Sequence, residues 1–185
     1  MTMATTSSSS FLSTLVVCLI VAFLMTPTTS NPLAKVCIKS KNPRFCLQVL
    51  GLNPHLSPYE LTLEAINLAM ASASGTTKKI HTFLDQTKDD NLKVIYNSCL
   101  NFYQSVIDTL TSTEEHFLKE GQYYGVNVAG NIAQLDSFQC ETAFQSIIGY
   151  AYESTLTKDN ENLRIFGSIV VSAIDCLYNS TSLKW

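Results

Sequence analysis

The chain has 185 residues, with 12 Lys and Arg, 15 Asp and Glu, and a formal net charge of −3 at pH 7. The basic residues are scattered along the chain rather than clustered, so the composition argues against a nucleic-acid-binding protein. Seven Gly and five Pro leave few positions for turns, and no Pro follows Pro58. This distribution favours long, uninterrupted helices in the larger part of the chain.

Residues 1–30 are expected to be a cleaved signal peptide. A predominantly apolar run covers residues 11–25, and small residues follow it up to Ser30, as at a signal-peptidase site. A membrane anchor is the alternative, but this run is shorter than the ~20 residues of an ordinary span. Cleavage would remove Cys18 and leave one mature domain, residues 31–185, in an oxidising compartment with no membrane attachment.

The segment 31–53 is expected to form a short helical hairpin ahead of the main domain. Cys37 and Cys46 lie nine residues apart on either side of Pro43. A disulfide between them would close a hairpin that bends near this proline, since export favours paired cysteines.

Four longer helices are predicted after the hairpin. Ser57, Pro58 and Glu60 form a capping-box pattern at the first helix, and Asp89 precedes the second. Short connections make neighbouring helices antiparallel, so the fold class is all-α, an up-down-up-down four-helix bundle. The predicted bounds of these helices are 58–87, 90–118, 122–147 and 159–179.

Apolar residues recur every three or four positions in these segments, which is the pattern of helices packed in a bundle. The third segment is the least regular of the four. The predicted buried positions are, in chain order: Leu61, Ile66, Ala69, Ala73, Thr77, Ile80 and Leu84; Leu92, Ile95, Cys99, Phe102, Val106, Leu110, Thr113 and Phe117; Tyr124, Val128, Ile132, Leu135, Phe144 and Ile148; Leu163, Phe166, Val170, Ala173 and Leu177.

The remaining cysteines bear on how the bundle is held. Cys99 and Cys140 lie almost symmetrically about Gly121. If two antiparallel helices meet at that glycine, the two cysteines come side by side and a disulfide could join the helices. Cys176 is left over and is expected to be a buried, inert free thiol, with intermolecular pairing as the alternative.

No constellation for catalysis, metal binding or cofactor binding is found. His55, His81 and His116 are isolated, with no metal-ligand spacing and no neighbouring nucleophile pattern. Adjacent acidic pairs, such as Asp89-Asp90, lie near predicted helix ends, where solvated carboxylates are the simpler interpretation. We therefore expect a protein that is not an enzyme and uses no cofactor or metal.

Two kinds of surface feature are predicted instead. Tyr103, Tyr123 and Tyr124 are candidate anchors for a protein partner, because Tyr is enriched at interfaces, although ordinary packing is the alternative. Asn179-Ser180-Thr181 is an N-glycosylation sequon near the C-terminus. An unmodified surface Asn is the alternative there.

The chain resembles the plant invertase and pectin methylesterase inhibitor family over about residues 33–178. The segment from Cys37 to Cys46 is similar to the family's Cys-x-Lys-Thr…Pro-x-x-Cys hairpin. Cys99-Leu100-Asn101-Phe102-Tyr103 is similar to its Cys-x-x-x-Tyr helix start, and the segment from Gly121 to Cys140 is similar to the one that ends at its fourth cysteine.

The resemblance implies an N-terminal hairpin, a four-helix bundle, disulfides Cys37–Cys46 and Cys99–Cys140, and no catalysis. It further implies a secreted protein of the plant apoplast or cell wall, with the vacuole as a less favoured location. Members lay bundle helices across an enzyme and block substrate access. Asn131, where the family has Ser, lies on such a helix and is a further candidate partner-binding residue.

The resemblance leaves two target enzymes. Invertase inhibitors carry Pro-Lys-Phe shortly after the chain reversal, whereas this chain has Gln122-Tyr123-Tyr124, so pectin methylesterase is favoured over cell-wall or vacuolar acid invertase. A helical carrier without inhibitory activity is the alternative from another class. A carrier would need an apolar internal cavity. Inhibition assays with both enzymes would distinguish a pectin methylesterase inhibitor from an invertase inhibitor.

Overall fold

The computed structural model describes residues 31–149 and 154–182, and every regular element in them is helical. The expected signal peptide lies outside the described residues. A single turn of π-helix, Thr113–Phe117, extends the second long helix. The α-helices are α1 Pro32–Lys39, α2 Pro43–Leu50, α3 Pro58–Gln86, α4 Asp90–Ser112, α5 Tyr123–Ile147 and α6 Thr157–Ser182.

Helices α1 and α2 form the predicted hairpin. Asn42 caps α2, since its side chain accepts a hydrogen bond from the backbone N–H of Phe45 at 3.1 Å. A disulfide joins Cys37 to Cys46 across the hairpin, with Cα atoms 5.3 Å apart. The hairpin packs mainly on α6, where Phe45 meets Phe166 edge-to-face with ring centroids 5.4 Å apart.

Helices α3 to α6 form the predicted four-helix bundle. Each helix packs against the next in the chain, and α6 closes the bundle against α3. The ends are set by local chemistry: Ser57 and Glu60 form the capping box of α3, and Asp89 accepts from two backbone N–H groups of α4. Gly121 turns the chain between α4 and α5 with a φ of 71°, which glycine adopts without steric cost.

Two helices have bounds that differ from the prediction. The helix expected at 90–118 is α-helical only to Ser112, after which the Leu118 N–H bonds to the Thr113 carbonyl, five residues back, at 3.0 Å. The helix expected at 159–179 starts at Thr157, because the Asn160 N–H already bonds to the Leu156 carbonyl at 2.8 Å, and it continues to Ser182. The other bounds agree within one residue.

The buried positions of α6 are as predicted, but those of α5 are so only in part. Tyr124 is 83% exposed and Leu135 is 53% exposed, so the predicted burial of these two residues is wrong, whereas Phe144 is fully buried as predicted. The helix instead buries mostly small side chains and keeps large apolar ones outside. Its buried residues are Val126, Ala129, Gly130, Ala133, Asp136, Ser137, Cys140 and Phe144.

Small residues allow α5 and α6 to cross closely. A Cβ atom added to Gly130 would lie 2.9 Å from the Gly167 carbonyl oxygen, and one added to Gly167 would lie 2.6 Å from the Gly130 carbonyl oxygen. The two backbones therefore meet at this pair of glycines, without room for a side chain between them.

Candidate partner-binding face

The exposed side of α5 carries a continuous row of large or polar side chains. They are spaced by three, four and four residues and then three again, so they lie on one face of the helix. Phe138 is 53% exposed, as is Leu135. This row, named here the α5 stripe, consists of Tyr124, Asn127, Asn131, Leu135 and Phe138.

The middle of the stripe is polar and ordered by local hydrogen bonds. The Asn131 side-chain amide donates to the Asn127 side-chain oxygen at 2.9 Å and to the Asn127 carbonyl at 3.0 Å. Gln134 donates to the Asn131 side-chain oxygen at 3.4 Å. Amides can both donate and accept, so the stripe offers directional contacts between two apolar ends.

Tyr123 and Tyr124, the two candidate anchors, lie together at the N-terminal end of α5 but in different environments. The ring of Tyr123 is half-buried and packs edge-to-face on Tyr178 of α6, with centroids 6.3 Å apart. Tyr124 projects into solvent. With Asp175 these residues line an open cleft of about 330 Å³ between α5 and α6.

A second cleft lies at the other end of the stripe. It has a volume of about 270 Å³ and is lined by Phe138, Glu141, Glu161 and Arg164 among others. Arg164 pairs with Glu161 one turn earlier at 2.9 Å. The stripe thus ends beside a concave, charged site that could receive a side chain from a partner.

The prediction of Tyr103 as a surface anchor is wrong, because its side chain is fully buried. Its hydroxyl donates to the Asn160 side-chain oxygen at 2.8 Å, and the Asn160 amide donates to Glu141 at 2.7 Å. Burial raises the pKa of the Tyr103 hydroxyl. Tyr103 follows Cys99 by four residues and precedes Val106 by three, so its helical phase could have revealed a core position.

This buried network joins three helices of the bundle. Glu141 of α5 also accepts a hydrogen bond from the Thr157 hydroxyl at 2.7 Å. Together with Tyr103 of α4 and Asn160 of α6 it holds the helices in a fixed relation below the charged cleft. Sequence reasoning did not identify Glu141 or Asn160, since their partners are distant in the chain.

A disulfide ties the stripe-bearing helix to its neighbour. It joins Cys99 of α4 to Cys140 of α5, with Cα atoms 4.8 Å apart, and both residues are fully buried. The bridge lies two residues beyond Phe138. It therefore limits how far the C-terminal half of the stripe can move relative to α4.

The other predicted residues lie away from the stripe. Cys176 is a half-buried free cysteine on α6, and burial raises the pKa of its thiol, an effect that Lys35 and Lys39 oppose. Asn179 is exposed near the end of α6. No group of three metal-ligating side chains occurs in residues 31–149 and 154–182.

None of the helices in the described part of the chain is both long and apolar enough to cross a membrane. The described residues thus form a helical bundle with a disulfide-closed hairpin and an exposed stripe on α5. The family model of the plant invertase/pectin methylesterase inhibitor matches residues 31–172, and the chain belongs to this family. Because the family consists of inhibitor proteins, the prediction of a non-enzymatic protein is confirmed.

Curated relatives agree with this membership. The chain is 31% identical over 150 residues to a pectinesterase inhibitor of Actinidia deliciosa, covering 75% of this chain and 78% of the relative. It is 33% identical over 103 residues to pectinesterase inhibitor 1 of Arabidopsis thaliana, covering 54% and 57% of the two chains.

Solved structures share the fold. A mutant form of a pectin methylesterase inhibitor from Arabidopsis matches with a TM-score of 0.69 and 24% identity, over 79% of this chain and 97% of that one. A second crystal structure of a pectin methylesterase inhibitor from Arabidopsis thaliana matches with a TM-score of 0.58 and 23% identity, over 80% and 97%. The predicted hairpin and four-helix bundle are thereby confirmed.

Proposed function

We propose that this protein is a secreted inhibitor of plant pectin methylesterase and acts in the cell wall. The observation that carries the proposal is the α5 stripe, exposed on a disulfide-tied helix in a chain of this inhibitor family. Relatives from two plants bear the name pectinesterase inhibitor, which supports pectin methylesterase as the target.

The stripe suits a protein partner better than a small ligand. It runs along α5 and is mixed in polarity, with Tyr124 and Phe138 at its two ends. Aromatic side chains are the usual anchors of protein interfaces, and amides such as that of Asn131 supply specificity. Laid across an active-site cleft, this face would exclude the polymer substrate with no chemistry of its own. A tight inhibitor interface buries about 1,600 Å² in total.

The family description also covers inhibitors of invertase. In place of the Pro-Lys-Phe typical of invertase inhibitors, the chain has Gln122-Tyr123-Tyr124 at the start of α5. Tyr124 is the exposed aromatic residue there. This difference at the stripe's first residue favours pectin methylesterase as the target, and acid invertase serves as the comparison enzyme.

The test is a pair of inhibition curves on purified plant pectin methylesterase and acid invertase at apoplastic pH. The protein should inhibit the esterase at near-stoichiometric ratios and leave the invertase active. Full esterase activity at a large excess of the protein would refute the proposal. Inhibition of the invertase alone would reverse the choice of target.

A matched pair of variants tests the surface itself. Leu135→Ala removes an apolar side chain from the stripe, whereas Leu47→Ala removes one of similar exposure, 48%, from α2 in the hairpin. We expect weaker inhibition from the first variant and unchanged inhibition from the second. Equal inhibition by both would place the binding face elsewhere on the bundle.

A further inference from the structure

A second exposed site lies on the side of α6 that faces the hairpin. Asn179, Ser180 and Thr181 form the sequon noted in the sequence, and Asn179 is exposed. The Asn179 side-chain amide donates one hydrogen bond, to the Asp175 carbonyl at 2.8 Å. An amide NH₂ carries two hydrogens, so the other is available for substitution while this bond is kept.

Asn179 stands at the mouth of a groove between α1 and α6. The groove has a volume of about 230 Å³, and its lining includes Lys35, Ile38, Cys176 and Asn179. Ile38 is 77% exposed there. An apolar groove with a free thiol is thus open to solvent beside an acceptor for an oligosaccharide.

The acceptor lies between the two clefts that flank α6. At 100° per residue on an α-helix, Asn179 stands about 60° from Cys176, with which it lines the groove beside α1. It stands about 40° from Asp175 and about 100° from Tyr178, both of which line the cleft with α5. A group attached to Asn179 therefore borders the groove on one side and the cleft on the other.

We propose that Asn179 carries an N-linked glycan that covers the groove between α1 and α6 and shields Cys176 and Ile38. The reaction joins the Asn179 Nδ2 to the sugar C1 of a lipid-linked pyrophosphate oligosaccharide. The C1–O bond to the pyrophosphate breaks, the lipid pyrophosphate leaves, and the amide loses one proton to a base of the transferase.

The folded helix sets when this transfer takes place. In the structure the Thr181 hydroxyl donates to the Tyr178 carbonyl at 2.8 Å, so the sequon is wound into the last turns of α6. The transferase acts on the sequon before α6 forms, as the chain enters the secretory pathway. The glycan is then in place when α6 packs against α1.

The first experiment is the intact mass of the full-length chain expressed in plant secretory cells, before and after enzymatic removal of N-glycans. We expect a loss of one oligosaccharide and conversion of Asn179 to Asp in the released peptide. Thr181→Ala should abolish the modification, and Thr181→Ser, which keeps the sequon, should retain it. A protein with unmodified Asn179, whether exported or retained in the cell, would overturn the proposal.

The second experiment measures alkylation of Cys176 in the glycosylated protein, the enzymatically deglycosylated protein and Asn179→Gln. Alkylation should be several-fold faster in the last two. Equal alkylation rates in all three would overturn the shielding role. The mass and alkylation readouts do not depend on inhibition, so they stand apart from the proposed function.

Discussion

Helices α5 and α6 are of similar length and cross each other closely, yet they use large apolar residues in opposite ways. On α6, Phe166 and its neighbours at helical spacing are buried against the hairpin and α3. On α5, Tyr124, Leu135 and Phe138 face solvent, and the buried side is built largely from small residues. The sequence of α6 meets the needs of the core, whereas that of α5 also provides a surface for a partner.

The contrast has a physical basis in what holds each helix. Helix α6 is stabilised by burial of apolar side chains, each of which contributes about 1.5–3 kcal/mol. Helix α5 has fewer such groups in the core, and it is held by the Cys99–Cys140 disulfide, the Glu141 network and the contact between Gly130 and Gly167. Helix α5 can therefore expose apolar residues and still keep its position in the bundle.

The sharpest test replaces one phenylalanine on each of the two helices with alanine. Phe166→Ala should lower the free energy of unfolding by about 3 kcal/mol or more, because it leaves a cavity beneath Phe45. Phe138→Ala should change it by less than about 0.5 kcal/mol but weaken esterase inhibition about tenfold. Urea unfolding and inhibition curves on both variants give the comparison. If Phe138→Ala were as destabilising as Phe166→Ala, α5 would have no free face.

Removing the two disulfides separately should rank them by loop length. By the chain-entropy model, replacing Cys99 and Cys140 with Ala should cost about 4 kcal/mol, and replacing Cys37 and Cys46 about 2.6 kcal/mol. Only the first pair bears on the stripe, so only it should also weaken inhibition under conditions where the variant is still folded. Chemical denaturation and inhibition assays at low temperature measure both effects. Loss of stability with unchanged inhibition would show that the bridge does not order the stripe.

The close helix crossing can be tested with glycine variants. Gly167→Ala should destabilise the fold by about 1–3 kcal/mol, because its Cβ would press on the Gly130 carbonyl. Gly75→Ala is the matched control, since Gly75 lies within α3 and an added Cβ meets nothing within 4 Å. The control should gain about 0.5–1 kcal/mol from helix propensity. If the unfolding temperatures of both variants shifted in the same direction, the tight crossing would be contradicted.

The smallest expected effect concerns a buried carboxyl on α5. Burial raises the pKa of Asp136, and a hydrogen bond with Ser105 opposes this shift. The folded state therefore holds the proton more tightly than the unfolded chain, whose Asp pKa is about 3.9, and ionisation costs stability as the pH rises above that value. Asp136→Asn removes this cost and can still accept a hydrogen bond.

The variant should therefore be more stable than the original protein near pH 7, and the difference should vanish below about pH 3.5. Thermal unfolding across this range measures the difference. A gain that did not depend on pH would show that packing rather than ionisation is responsible. Helix α6 offers no equivalent variant, because none of its buried residues carries a carboxylate.

Much of this fold could be predicted from the sequence because its signals are local. The capping box at Ser57, the turn at Gly121 and the apolar repeat of α6 each depend on residues within a few positions of one another. Such patterns fix where helices start, stop and face the core. The family resemblance supplied the same architecture independently.

The orientation of α5 could not be predicted in this way. A large apolar residue such as Leu135 is indistinguishable in sequence from a core residue, and the small residues that are buried instead, such as Ala133, carry little hydrophobic signal. The hydrogen-bond partner of the buried Tyr103 hydroxyl could not be predicted either, because Asn160 lies 57 residues away in the chain. The orientation of α5 and the partner of Tyr103 both depend on contacts between helices that are far apart in the chain.

The contact between Gly130 and Gly167 also fixes the angle of α5 about its own axis. A turn of one residue, about 100°, would bring a side chain to the point where two carbonyl-bearing backbones already meet. Only one rotation of α5 about its own axis is therefore compatible with this contact on α6. For this reason the direction in which Tyr124 and Phe138 project is determined by two residues that have no side chain at all.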